Sequence, residues 1–513
     1  MFFKVLSNKA NIPHAARNQA FLREDNWNDW FTYSTMYTLS YFDYAKEEHI
    51  IGSVKIGQFG MEKEQNSAAI PENFDYLDEE FFSVGQDESY YGDLNSLGEG
   101  IRDRILSGLN DFALNQELFS RALTEKVTGE SLLRGVAPAT VRGQFRRMAT
   151  GGARLSEYRF SYTAPKRRGS KAVPIQLDFS IEPESLPPTN IHVLIGRNGV
   201  GKTYLLNNMV QAILSEGEQV NKFGYFEDAD QDILSDTEFF AHLVSVSFSA
   251  FDSFEPLPVR RDKSKGVLFT YIGLRNQPRD GKQRPPKTPD NLSSEFGSSV
   301  TICRLGPRAS RWKRALELLE ADPIFEAANV AELASDELED EDVKSEARAV
   351  YDKLSSGHKI VLLTITRLVE TVEERTLVLL DEPEAHLHPP LLSAFVRALS
   401  DLLVDRNGVA IIATHSPVVL QEVPRSCSWM IRRVGAHAHG QRPELETFGE
   451  NVGTLTREVF GLEVTETGFH KMLRDIVAEE EDYEEVLERF GGSLGGEARA
   501  VLRAIISTNQ NNG

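Results

Sequence analysis

Cysteine is nearly absent: the 513 residues hold 2, Cys303 and Cys427. They lie far apart, without the close spacing of metal-binding thiolates, so the sequence offers neither a disulfide framework nor a zinc-finger set. A reducing cytosol is the expected compartment. Basic residues are also short. The 56 Lys and Arg against 77 Asp and Glu leave a net charge of -21. That balance argues against an indiscriminate nucleic-acid binder, although it leaves room for a local basic groove. No stretch approaches the ~20 apolar residues of a membrane span. The first nine residues meet polar side chains too early for a signal peptide. A cytoplasmic chain with no membrane partner is expected. The 41% hydrophobic content suffices for real cores, and the length suggests two to four domains at roughly 100–200 residues each.

What the chain does have is an octapeptide, Gly196-Arg197-Asn198-Gly199-Val200-Gly201-Lys202-Thr203, that fits the phosphate-binding loop G-x-x-x-x-G-K-[ST]. Residues 191–195 before it read as a buried strand, and residues 204–214 after it as a helix. Strand, glycine-rich turn and helix is the arrangement this chemistry requires. Glycines let the backbone wrap a phosphate with its N–H groups inward, at a helix N-terminus that favours anions. Lys202 is expected to reach the β- and γ-phosphates of ATP, and the Thr203 hydroxyl to ligate Mg²⁺.

Residues 376–383 form an apolar strand ending in Asp381-Glu382-Pro383, the Walker B pattern. Asp381 is expected beside the phosphate loop, holding Mg²⁺ directly or through water. Glu382 is expected to orient or deprotonate the attacking water. One helix upstream, Leu354-Ser355-Ser356-Gly357-His358-Lys359 resembles the L-S-G-G-Q signature of ABC-type ATPases. Ser-Ser-Gly is also a common helix cap, so its position ahead of Walker B is what lends it weight. Residues 409–417 form a further apolar strand ending in Thr414-His415-Ser416-Pro417, where ABC-type ATPases carry a switch histidine.

The four motifs in this order resemble an ABC-type ATPase head rather than a ring-forming AAA+ module, over roughly residues 157–465. The string Asp381-Glu382-Pro383-Glu384-Ala385-His386-Leu387-His388-Pro389 is similar to the OLD/RecF-like branch. That branch includes ATPase subunits of bacterial antiphage systems such as Septu PtuA, PARIS AriA and Gabija GajA. The resemblance implies ATP sandwiched between two heads of a homo-oligomer. Lys202, Thr203 and Asp381 would serve from one head and Ser355, Ser356 and Gly357 from the other, with Glu382 and His415 catalytic. In transporters the loop after Walker B ends in an aspartate, and here His388 stands there. The histidine pair suggests a metal, but dimer-interface residues are the favoured reading. The Q-loop position, residues 247–254, has no glutamine, and Asp252 or a serine is the candidate substitute.

The fold expected is α/β, a P-loop NTPase of ABC-head type with a mixed sheet and flanking helices, plus an α+β N-terminal domain. Residues 1–155 read as an aromatic-rich accessory domain, with strands near 31–41 and 49–59 and one amphipathic helix over 100–126, Gly108 being the place where it could break. The aromatics suit either a packed sheet core or, less readily, base stacking. Residues 156–465 read as the ATPase domain, with an inserted loop and helical region at about 256–350 whose first part, 256–300, reads as a long loop. Residues 466–513 read as a helical tail.

Residues 134–171 are strongly basic, with Arg142, Arg146, Arg147, Arg154, Arg159, Lys166, Arg167, Arg168 and Lys171 against Glu157. This run could contact nucleic acid, form a solvated face or meet an acidic partner. The acidic run 336–342 reads as a solvated face. Arg432 and His437 match the R-x4-H spacing of HEPN ribonucleases, but in a strand or loop setting, so the match reads as coincidence. There are no sustained heptads, Toprim tail or H-N-H set. The expected role is an ATP-hydrolysing subunit of an antiphage defence complex that controls a separate nuclease or toxin. The alternative is a RecF-like DNA repair ATPase.

Overall fold

The computed structural model describes residues 2–8, 10, 16–25, 33–61, 65–152, 155–166, 173–215, 220–228, 239–248, 257–260, 267–276, 284–305, 308–335, 340–435, 437–461, 468–478 and 482–512. Asp252, Arg154, Arg167, Arg168, Lys171 and residues 336–339 fall outside that set.

Among the described residues, seven strands make the central sheet. Their order across it is Leu268–Gly273, His242–Ser247, Thr376–Asp381, Val409–Thr414, Ile191–Ile195, Ser428–Val434 and His437–Gln441. Every neighbouring pair is parallel except the last, an antiparallel hairpin. The three central strands, Thr376–Asp381, Val409–Thr414 and Ile191–Ile195, are almost continuously apolar and buried. A parallel strand covered on both faces requires that composition. Helices Ser356–Thr371 and Pro389–Asp405 contribute Val361, Leu362, Leu399 and Leu403 to the core on one face. On the other face, helix Lys202–Leu214 joins an antiparallel sheet of Tyr225–Asp228, Tyr158–Thr163 and Gln176–Ile181 around Phe160, Phe179 and Met209.

Residues 256–300 correct the long-loop reading. Leu268–Gly273 is a strand aligned with His242–Ser247 over its whole length. Pro289–Cys303 is a helix opened by a Thr288/Asn291 capping box with Pro at its start. The Pro, Gly, Lys and Arg that suggested a loop lie mainly between these elements. Cys303 and Cys427 are both buried free thiols, and burial pushes Cys427 up to about 12.

The N-terminal unit has its own sheet, ordered Asn73–Phe74, Phe3–Leu6, Gln19–Glu24, Met36–Phe42, Glu48–Gln58 and Phe81–Gly85. Tyr33, Tyr37 and Tyr41 are buried in its core with Phe82, Phe112 and Phe119, so these aromatics serve packing. Helix Glu99–Gly108 stops at Gly108, where a β-carbon would meet the Phe3 ring. Asn115 then caps the next helix, Gln116–Ala122, by accepting from the amides of Glu117 and Leu118.

Buried ion pairs join this unit to the central sheet. Glu374 accepts from the Gln144 amide at 2.7 Å and from Arg147 Nη2 at 3.0 Å. Arg311 lies 3.5 Å from Asp87 and 3.7 Å from Glu88, and Arg406 also pairs with Glu88. Glu374 and Arg406 precede strands Thr376–Asp381 and Val409–Thr414. The joint therefore lies at the N-terminal end of the sheet, roughly 20 Å from the strand ends that carry the motifs. Helices Gly468–Val477, Tyr483–Arg489 and Gly496–Asn512 form a separate small core around Leu473, Val486 and Leu502. Among the described residues, no helix is long and apolar enough to cross a membrane.

Candidate functional site

Parallel strands finish at one edge of the sheet, and the loops leaving that edge converge. Register sets which residues finish together. Asp381 is level with Ser247 on one side and Ala413 on the other, and Thr414 is level with Ile195. The turns after Ile195, Asp381 and Thr414 are thereby brought to a common point.

The phosphate loop has the conformation its glycines allow. Gly199 has φ +80° and Gly201 φ +105°, and nothing crowds either position. The left-handed backbone, not space, demands glycine there. Gly196 differs: a β-carbon on it would overlap the carbonyl oxygen of Ile431 in the neighbouring strand. Helix Lys202–Leu214 starts at Lys202, so its free amides face the loop. Lys202 is buried and donates from Nζ to the carbonyl oxygens of Gly196 at 2.9 Å and Arg197 at 3.1 Å. Burial holds its ammonium below the ordinary value, opposed by the carboxylates of Glu382, Glu384 and Asp381. An inward ammonium facing three acids suits a polyphosphate with its cation.

Thr203 Oγ1 donates to Asp381 Oδ1 at 3.1 Å across 178 residues of chain. Those two oxygens are a hard donor pair of the kind Mg²⁺ takes when phosphate and water complete its shell. Glu382 follows with φ +46° and ψ +58°, the left-handed region that non-glycine residues rarely enter. Its amide donates to the Ala413 carbonyl at 2.8 Å, which holds the turn. His415 Nδ1 lies 3.7 Å from Glu382 Oε1 and 3.1 Å from Glu384 Oε1.

Ser355, Ser356 and Gly357 sit at the N-terminus of helix Ser356–Thr371. Both serines are exposed and Gly357 is buried. A β-carbon on Gly357 would overlap the His386 carbonyl oxygen, so the signature turn packs directly against the loop after Walker B. Ser355 does not cap its helix through the backbone. Its Oγ lies instead 2.6 Å from His358 Nδ1.

Two participants were missed in the sequence. The Glu384 side chain is buried, and its Oε1 accepts from Thr414 Oγ1 at 2.5 Å and from the His415 amide at 2.7 Å. It stands in the quoted Asp-Glu-Pro-Glu string, and that was its only signal. Arg433 Nη1 donates to the Gly199 carbonyl at 3.3 Å, from the strand that includes the R-x4-H spacing. His437 starts the partner strand of that hairpin, opposite Val434, so no helix presents the pair.

The basic run 134–171 is divided by the fold. Arg142 and Arg146 are exposed, and the Arg142 guanidinium lies over the Phe119 ring. Arg147 is held in the joint with Glu374, and Arg159 pairs with Glu157 at 2.7 Å.

Residues 191–421 match the family model described as "AAA domain, putative AbiEii toxin, Type IV TA system". That span begins at the phosphate-loop strand and closes just past His415. Over 523 aligned residues the chain is 42% identical to protein ea59 of Escherichia phage lambda, covering 98% of each. The chain belongs to the ea59 family. Among solved structures, this ea59-family chain has slight likenesses to two ATP-binding cassettes of ABC transporters. One is an ADP conformation (14% identity, TM-score 0.30, 61% of this chain and 98% of that one). The other is nucleotide-free (13% identity, TM-score 0.26, 50% and 81%). By its own sheet order and register and by the family-model match, the ea59-family chain carries a P-loop domain of mixed α/β type, with its motif residues gathered at the C-terminal edge of a largely parallel sheet.

Proposed function

We propose that this chain is the ATP-binding and ATP-hydrolysing subunit of a defence complex. Two copies close head to head around ATP, and closure controls a separate effector, a nuclease or a toxin. The contact that carries the reading is Thr203 Oγ1 on Asp381 Oδ1 at 3.1 Å, because a metal-binding hydroxyl and carboxylate meet there beside a phosphate loop.

In this reading the backbone of Gly196, Arg197, Asn198, Gly199, Val200 and Gly201 surrounds the phosphates. Lys202 Nζ leaves the loop carbonyls for the β- and γ-phosphate oxygens. Mg²⁺ held by Thr203 and Asp381 supplies positive charge to the phosphates. Glu382 takes a proton from the attacking water as the water oxygen bonds to the γ-phosphorus. The bond from that phosphorus to the β–γ bridging oxygen breaks, leaving ADP and phosphate. His415, tethered by Glu384, holds its imidazole beside Glu382. Ser355, Ser356 and Gly357 meet the nucleotide of the second copy, where a helix N-terminus favours its charge.

The defence role draws support from the toxin–antitoxin description of the matching model and from a phage protein as relative. Slow turnover is expected, since a guard has to hold its state. The test is affinity purification of the Glu382→Gln protein with ATP from its own host, followed by mass spectrometry and nucleic-acid analysis. A stoichiometric nuclease or toxin supports the reading. DNA recovered with recombination proteins and no effector replaces it with a RecF-like repair role. Exposed Arg142 and Arg146 are the residues to reverse in that case, because reversing Arg147 would also break the joint with Glu374.

A further inference from the structure

The signature turn rests on a cluster that the four motifs do not use. Asp322 opens the short helix Pro323–Ala328, where its Oδ1 accepts from the Ile324 amide at 2.9 Å. His358 directly follows Gly357, and His388 opens helix Pro389–Asp405. Three segments distant in sequence thus aim one carboxylate and two imidazoles at one point. His358 Nε2 lies 3.0 Å from Asp322 Oδ1, and His388 Nε2 lies 3.6 Å from Asp322 Oδ2. All three donor atoms fall within 4.8 Å of one another.

Hydrogen bonding accounts for this arrangement only in part. The contact of His358 with Asp322 has an ordinary hydrogen-bond length. The 3.6 Å from His388 to Asp322 is too long for one. His388's other nitrogen accepts from the Leu391 amide at 3.4 Å, which is also long. His388 is therefore loosely held on both sides of its ring, although it faces a buried carboxylate. Two donors on a tetrahedral zinc ion, each about 2.0–2.1 Å from it, stand roughly 3.3 Å apart, and the two measured separations bracket that value. Asp322 and His358 are buried while the His388 side chain is 51% exposed. The ion thus has a route in from solvent.

We propose that Asp322, His358 and His388 form a binding site for one divalent transition-metal ion of the zinc class, and that this ion sets the hydrogen-bond direction of Ser355. A histidine bound to metal through Nε2 carries its proton on Nδ1 and donates it to a neighbouring acceptor. The neighbour here is Ser355 Oγ at 2.6 Å. With metal bound, Ser355 accepts from His358 and its own O–H turns outward as a donor. Without metal, a neutral His358 donates from Nε2 to Asp322 and accepts the Ser355 O–H hydrogen bond at Nδ1, which turns that donor inward. The consequence for Ser355 rests on the proposed head-to-head reading, in which its hydroxyl meets the second copy's phosphates. The metal site itself does not.

The test uses the full-length protein stripped with chelator and titrated with zinc ion by calorimetry. One zinc ion per chain is expected. His388→Ala removes a direct ligand and should weaken binding by more than the roughly 10–100-fold that loss of an outer-shell partner costs, and His386→Ala, two residues away, should leave it unchanged. No binding by the parent, or equal binding by His388→Ala, overturns the site. Because His388 is half exposed, that variant can be checked for an unchanged melting curve. Coupling is read in the Glu382→Gln background by light scattering. ATP should pair the zinc-loaded chains at several-fold lower protein concentration than the stripped chains, and His388→Ala should erase the difference. Equal pairing in both states overturns the coupling and leaves the site standing. If ATP pairs neither, the head-to-head reading falls and the coupling with it, while the titration alone decides the site.

Discussion

Glu384 Oε1 accepts the backbone amide of His415 at 2.7 Å and the Thr414 hydroxyl at 2.5 Å. One buried carboxylate therefore ties the turn after Walker B to the end of the next strand and fixes where the His415 ring stands. Glu384→Ala removes both tethers. Displacements near 1 Å at a reacting centre cost on the order of 100-fold in rate. A fall of that size in ATP turnover is expected in a phosphate-release assay, with nucleotide affinity nearly kept. Glu384→Gln retains an acceptor oxygen and should lose less.

Lys202 and Glu382 should separate binding from turnover. Lys202→Ala removes the ammonium that faces Asp381, Glu382 and Glu384, and should abolish binding of a fluorescent ATP analogue. Glu382→Gln keeps that ammonium and removes the proposed proton acceptor. It should bind ATP and accumulate as a dimer in light scattering, with hydrolysis reduced 100-fold or more, since a positioned general base contributes about 10²–10⁴-fold.

The signature turn and the loop after Walker B leave no room for a methyl group at Gly357, which is covered by the His386 carbonyl. Gly357→Ala should cost about 1–3 kcal/mol in overpacking and displace the exposed Ser355–Ser356 step. The expected signature is a lowered melting temperature with ATP-driven pairing lost, while ATP binding at the phosphate loop persists.

The joint between the two units depends on Glu374. Glu374→Ala leaves Arg147 and the Gln144 amide without their carboxylate. Removing one partner of a buried pair costs about 3–5 kcal/mol. The urea midpoint should fall accordingly. Glu374→Gln, which keeps an acceptor for the Gln144 amide, should fall less.

Asp111 gives the N-terminal unit a dependence on pH. It is buried and accepts from the Tyr91 hydroxyl and the Ala113 amide. Burial pushes its carboxyl from 3.8 up to about 7, against those hydrogen bonds. A carboxyl raised on folding contributes stability that is complete below its unfolded value and lost as pH rises through its folded value. Melting temperature should therefore decline from pH ~4 to pH ~7. Asp111→Asn, which cannot ionise, should flatten that decline in a fluorimetric melt.

Local order was enough to find the nucleotide motifs. Gly199, Gly201, Lys202 and Thr203 are neighbours in the chain, and apolar runs ending in Asp381 and Thr414 mark buried parallel strands by composition. The stretch 100–126 was legible as helical, with Gly108 its candidate break, but not as the two separate helices Glu99–Gly108 and Gln116–Ala122. The strand Leu268–Gly273 was not legible, because it is a short strand set among loop-forming residues and its pairing with His242–Ser247 makes it regular. Arg147 looked like part of a basic surface, and Glu374, 227 residues away, makes it part of a joint.

The sequence by itself determined where the candidate phosphate loop, Walker B acids and strand-end histidine lie, since each is a short-range pattern read from neighbouring residues. Only the tertiary structure decided that Thr203 meets Asp381, that Glu384 holds His415, and that Asp322, His358 and His388 share a point. Those relations depend on strand order, register and helix docking, which arise from burial across the whole sheet and leave no local spacing to read.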